Sequence, residues 1–120
     1  MYRIKNILKE QAYQTAFEKY RNFFFRNYFE KNQIKIRPDS IYPIDIHGCA
    51  EAINCVSFID ENKKYKKYAD IALDFTFKNM YYKNYFIYKI IKIKRIKKRI
   101  KISYIRWGDA WIAKALSEYI

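Results

Sequence analysis

Glycine is almost missing from this chain. Two Gly in 120 residues is far below the usual share of about 7%, so left-handed turns should be scarce and the chain should run in long elements, mainly helices. No glycine-rich phosphate loop and no Gly-x-Ser-x-Gly elbow occurs, which removes support for nucleotide-dependent and serine-hydrolase chemistry. One histidine and two cysteines, with no Cys-x-x-Cys pair, are too few ligands at zinc spacing, and neither a metal nor a cofactor is expected. Cys49 and Cys55 are separated by about 240° around an expected helix, so they cannot bridge each other within it. Two free, largely buried thiols point to a reducing compartment. No run approaches the roughly 20 apolar residues of a membrane span. The polar, basic stretch from Met1 to Asn6 has no signal-peptide run, and a soluble cytoplasmic protein is expected.

Acidic residues are the other shortage, 12 against 25 Lys and Arg, for a net charge of +13. The imbalance is local. Lys83 to Arg106 carries ten basic residues and no acidic one. Heavy use of Lys, Ile, Asn, Tyr and Phe also resembles the codon bias of an AT-rich genome, which raises basicity without any partner selecting for it.

Apolar residues, in contrast, are plentiful at 51%, with 20% aromatic. That excludes disorder, and the length fits a single domain over residues 1–120 and excludes a multidomain enzyme. Apolar spacing by three and four predicts an amphipathic helix from Ile4 to Tyr28. Asn32 to Tyr42 loses that period and, with Pro38 and Pro43, reads as an extended connector. Ile46 to Ile59 is apolar nearly all round, with Asp45 as its N-cap, and belongs in the middle of a core. After a charged break from Asp60 to Lys67, a third helix carries Ala69, Ala72, Phe75 and Met80 on one face and ends near Tyr82. A fourth runs from Trp107 to Tyr119, introduced by Gly108 and Asp109.

The basic segment reads in two ways. Ile93, Ile96 and Ile100 have helical spacing, whereas the alternation of Ile100, Ile102 and Tyr104, out of phase with Tyr85, Ile87, Ile91 and Ile93, reads as two strands turning near Lys94–Lys97. The density of β-branched and aromatic residues favours a basic hairpin between the third and fourth helices.

Three clusters could carry chemistry. His47 lies two residues from Asp45 and one helical turn before Glu51, so an imidazole would sit beside two carboxylates, an arrangement for acid/base work. The simpler reading has Asp45 capping the helix, His47 filling its first turn, and Glu51 pairing with a lysine or a backbone amide. Arg106 offers a planar fork for a carboxylate, and Trp107 and Trp111, about one turn apart, could stack on a sugar ring, so a sugar acid would satisfy both features. The simpler reading pairs Arg106 with Asp45 or Asp109 and puts both indoles in the core. Lys89 to Lys101 could bind nucleic-acid phosphates or an anionic surface, or be a solvated edge that protects a sheet from aggregation.

The residues Tyr42-Pro43-Ile44-Asp45-Ile46-His47, then Ala50 to Ile53, Asn79-Met80, Tyr85 to Tyr88, and Tyr104-Ile105-Arg106-Trp107 with Ala110-Trp111 resemble the C-terminal part of (α/α) toroid proteins similar to the six-hairpin glycosidases. Those proteins are associated with polysaccharide biosynthesis or glycan modification. The resemblance runs from about Ile7 to the end. Asn84 stands where glycine is expected, and Asp109 where a neutral residue is. The resemblance implies a mainly α fold, about four helices of a toroid-like hairpin array with one basic β-hairpin, forming a piece of a larger ring. It implies a glycan or sugar-acid ligand in a central cleft. It places Asp45, His47, Arg106 and Trp107 at or near that cleft. From the residues themselves, Asp45 or Glu51 would move protons with His47, and Tyr42, Tyr104, Arg106, Trp107 and Trp111 are the candidate substrate-binding residues. A further possibility is a nonfunctional fragment, or a subunit whose ring a partner chain or homo-oligomer completes, and whether this chain catalyses alone stays open. The alternative function is a small basic protein that binds nucleic acid or an anionic surface through the hairpin.

Overall fold

A computed structural model describes residues 10–59, 64–103 and 105–119. The expected helical residues 4–9, residues 60–63 of the charged break, Tyr104 and residue 120 lie outside them. Helix α1 spans Gln11–Asn27 and leads into a hairpin of β1, Phe29–Glu30, and β2, Gln33–Ile34. Strand β3, Ile44–Asp45, follows the cis Tyr42–Pro43 peptide bond and runs directly into α2, Ile46–Ile59. Helix α3, Lys66–Phe75, continues as one π-helical turn, Thr76–Met80, so the helical path stops two residues short of the expected Tyr82. Two hairpins come next, β4 (Tyr81–Tyr82) with β5 (Tyr85–Phe86), and β6 (Lys89–Ile93) with β7 (Ile96–Ile100). A second π turn, Ile105–Asp109, feeds α4, Ala110–Tyr119.

Helix α2 is the centre. Ile46, Cys49, Ala50, Ala52, Ile53 and Val56 are all buried, and α3 and α4 both pack on it. Buried alanines on all three helices, Ala50, Ala69, Ala72 and Ala115 among them, let the backbones approach closely. At its start α2 is anchored to the sheet, whose order is β3-β6-β7. Buried Ile44 pairs with buried Ile90, and the Ile46 N–H donates to the Tyr88 carbonyl at 3.1 Å.

Aromatic stacking holds α1. The Phe25 ring lies 4.4 Å from that of Tyr65 and 4.5 Å from that of Tyr68, at separations where ring pairs attract. At the far end, Lys66 Nζ donates to Asp70 Oδ1 at 2.7 Å and to the Tyr119 hydroxyl at 2.9 Å. Tyr119 also donates to Asp70, joining α3 to α4. These two hydrogen bonds, Lys66 first, hold the Asp70 carboxyl below its ordinary value. Among the described residues, no helix is long and apolar enough to cross a membrane.

The fold is therefore α+β, and the expected mainly α toroid array is overturned. Among the described residues four α-helices form, but the strands make three small antiparallel sheets. The helices surround α2 in place of forming successive hairpins around a ring. The expected connector holds β2, and its 37–40 turn closes through a bridge between Arg37 and Ser40. Glycine scarcity misled because other residues take the left-handed turns. Lys31 and Asn32 (φ 51° and 57°), Lys83 (φ 56°) and Lys94 (φ 55°) each sit in a two-residue hairpin turn.

Two outcomes follow for stability. Ile53→Ala, which empties a fully buried site on α2, lowers the unfolding free energy by about 2–5 kcal/mol in urea titration. Lys94→Gly relieves a left-handed residue and raises it by about 0.5–1 kcal/mol, since the strain of order 1–2 kcal/mol outweighs the added chain entropy of glycine. A fall on Lys94→Gly would contradict the turn geometry.

Candidate functional site

A cleft of about 610 Å³ opens between the end of α1, the segment after β2, the first two turns of α2 and the π turn before α4. Its walls are largely apolar, with Phe24, Tyr28, Ile34, Tyr88 and Trp107 prominent, and its ionisable side chains include Lys35, Asp45, His47 and Glu51. Such a lining, apolar with a few convergent polar groups, is that of a small-molecule site.

The α2 register brings the polar groups together. Asp45 Oδ1 accepts the His47 backbone N–H at 2.8 Å, which satisfies one of the helix's unpaired first-turn donors. One turn on, His47 Nε2 stands 3.9 Å from Glu51 Oε1, and both side chains are close to two-fifths exposed. The Trp111 indole meets the imidazole edge to face, with centroids 5.2 Å apart and planes at 78°. That contact, together with the Glu51 carboxylate, sets the ring's orientation. Trp107 is 64% exposed, an unusual exposure for an indole in a fold this size.

Of the residues singled out from sequence, Asp45, His47, Glu51 and Trp107 line the cleft, and Trp111 supports His47 from behind. Tyr42 does not line it. The turn through Pro43 carries Tyr42 to the side of the basic hairpin, where Lys92 Nζ lies 6.0 Å and Lys97 Nζ 5.8 Å from its ring centre. Tyr104 and the Arg106 side chain lie outside the described residues. Asp109, considered as a partner for Arg106, accepts the Phe86 N–H at 3.2 Å and the Ser103 hydroxyl at 2.6 Å, which ties the π turn to β5.

Phe24, Tyr28, Lys35 and Tyr88 were not foreseen as cleft residues. Phe24 and Tyr28 stood in the apolar stripe of α1, and nothing in that stripe separates a cleft wall from a core contact. Lys35, 8% exposed, gave a detectable signal as a lysine between two isoleucines. Its Nζ donates to Glu30 Oε2 at 3.1 Å and to the Pro38 carbonyl at 2.6 Å.

The arrangement can donate and accept protons through His47 and Glu51 beside a flat apolar surface. The thiols do not contribute. Burial pushes Cys49 up to about 12 and Cys55 up to about 11, so neither is a nucleophile near neutrality. Among the described residues no group of three or more His, Cys, Asp and Glu could hold a metal ion. In comparisons with known proteins, the chain matches no family, no curated protein and no solved structure.

The cysteine environment gives a direct check. In native protein at pH 8 both thiols should react with an aromatic disulfide reagent more than about a hundredfold slower than in urea, because with values near 12 and 11 the thiolate fraction is about a thousandth or less. The native rate should climb steadily as pH rises toward 11. Rapid native labelling of Cys49 at pH 8 would contradict its burial.

Proposed function

We propose that this chain is a sugar-binding domain whose cleft takes a sugar or sugar acid. The observation that carries the reading is the exposed Trp107 indole at a cleft whose polar floor is the His47–Glu51 pair. A pyranose has an apolar C–H face and an equatorial ring of hydroxyls. Trp107 offers a flat surface for the first, while Glu51 accepts from hydroxyls and His47 donates or accepts according to its tautomer. The planar fork of Arg106 would grip the carboxylate of a uronate bidentately. Asp45 Oδ1 accepts a backbone N–H as helix cap, and proton transfer is assigned to His47 with Glu51 or Asp45. The His47–Glu51 separation of 3.9 Å leaves that pair near enough to address the same hydroxyl.

Calorimetric titration with glucose, glucuronate, galacturonate and their short oligomers tests this reading. Saturable binding is expected for at least one, weakened about tenfold, or roughly 1.4 kcal/mol, by Trp107→Ala and by His47→Ala, with the melting temperature held. No saturable heat with any of these sugars, or affinities that neither substitution changes, would overturn it.

A further inference from the structure

On a face distinct from the sugar cleft, we propose that Tyr42 and the inner face of the β6–β7 hairpin bind single-stranded nucleic acid, with a base against the tyrosine ring and the flanking phosphates on lysines. The hairpin register sets Lys92 directly opposite Lys97 and Ile90 opposite Arg99. Because residues two apart share a face of a strand, these four lie together, on the side where Ile90 is buried. Like charges directly opposed across strands are destabilising. Nothing in the packing requires this pair, since Ile90 alone joins the face to the core.

Both lysines address one ring. Tyr42 separates two hollows, of about 410 Å³ and about 600 Å³. The first is bordered by Lys31, Lys97 and Arg99, the second by Lys92 and Lys94. Of the acids there, Asp74 is engaged by Lys78 at 2.8 Å and Glu30 by Lys35 at 3.1 Å, which leaves Asp39 beside the second hollow. Among the described residues, Lys31, Lys92, Lys94, Lys97 and Arg99 form no ion pair. An aromatic ring with a cationic hollow on each side matches the repeat of a nucleotide strand, phosphate then base then phosphate. A duplex keeps its bases stacked inside and would offer Tyr42 nothing. A lipid surface would engage the lysines without needing the ring.

The test is fluorescence anisotropy of labelled oligo(dT) with the full chain across a salt series, alongside a duplex of equal length and phosphatidylserine–phosphatidylcholine vesicles. Oligo(dT) should bind most tightly, with affinity falling steeply as salt rises. The Lys92→Gln/Lys97→Gln double variant should bind about tenfold more weakly at low salt and reduce the log–log salt slope by about 1.4, two phosphate contacts' worth for a single strand. It should melt at or above the wild-type temperature, because it removes the opposed charges, so lost binding will not reflect lost folding. Tyr42→Leu should weaken oligo(dT) about fivefold or more while leaving the salt slope unchanged. Absence of oligo(dT) binding at low salt overturns the proposal, as does binding of duplex or vesicles that matches oligo(dT) and ignores Tyr42→Leu.

Discussion

A helix that is apolar on almost every side has to be covered on almost every side, and Ile46–Ile59 is such a helix. The remaining elements can be read as its wrapping. Helices α3 and α4 take two flanks, close enough to require alanine at the contacts. The β3-β6-β7 sheet fixes its first residue, and the aromatic end of α1 closes over Val56 through Phe25. Peripheral ties such as Lys66–Asp70–Tyr119 are exposed ion pairs, which individually add little. They fix the ends of elements whose position is already set by burial.

The cleft arises where that wrapping stops. Asp45 immediately precedes α2, and His47, Gly48 and Glu51 occupy its first two turns; these polar or minimal residues interrupt the apolar surface at one end of an otherwise oily helix. The wall opposite is assembled from distant parts of the chain, α1, the segment after β2 and the π turn. The π turn presents Trp107 outward while Asp109, two residues later, is bonded to β5. Chemistry and core are therefore set by the same helix, one by its middle and the other by its start.

Much of this could be read from the residues. The all-apolar run marked α2, Asp45 marked its cap, and the switch in apolar parity between Ile93 and Ile96 marked the turn of the basic hairpin, which closes at Lys94 and Arg95. His47 and Glu51 could be grouped because helix geometry links residues four apart, whereas Trp107 was set beside them only by the family resemblance. What could not be read has physical causes. Two-residue strands such as Phe29–Glu30 and Tyr81–Tyr82 are too short to show a period. Lysine in left-handed turns left no punctuation where glycine was sought. Tyr42, three residues from Asp45, looked like its neighbour in a site, but the chain turns between them. A local order of motifs carries no information about whether helices close into a ring, and here they gather around one member.

The hairpin's outer strand has a consequence for behaviour at high concentration. Strand β7 is an edge, and its exposed Ile96, beside Ile93 across the turn, would invite another copy to add its own strand. Lys97, Lys98 and Arg99 on the same strand oppose that approach by repulsion between molecules. Such repulsion acts over about 8 Å at physiological ionic strength and about 3 Å at 1 M salt. The protein's colloidal stability is thus electrostatic in origin. Concentrated salt, which solubilises many basic proteins, should here remove the barrier that keeps one hairpin from zipping onto the next.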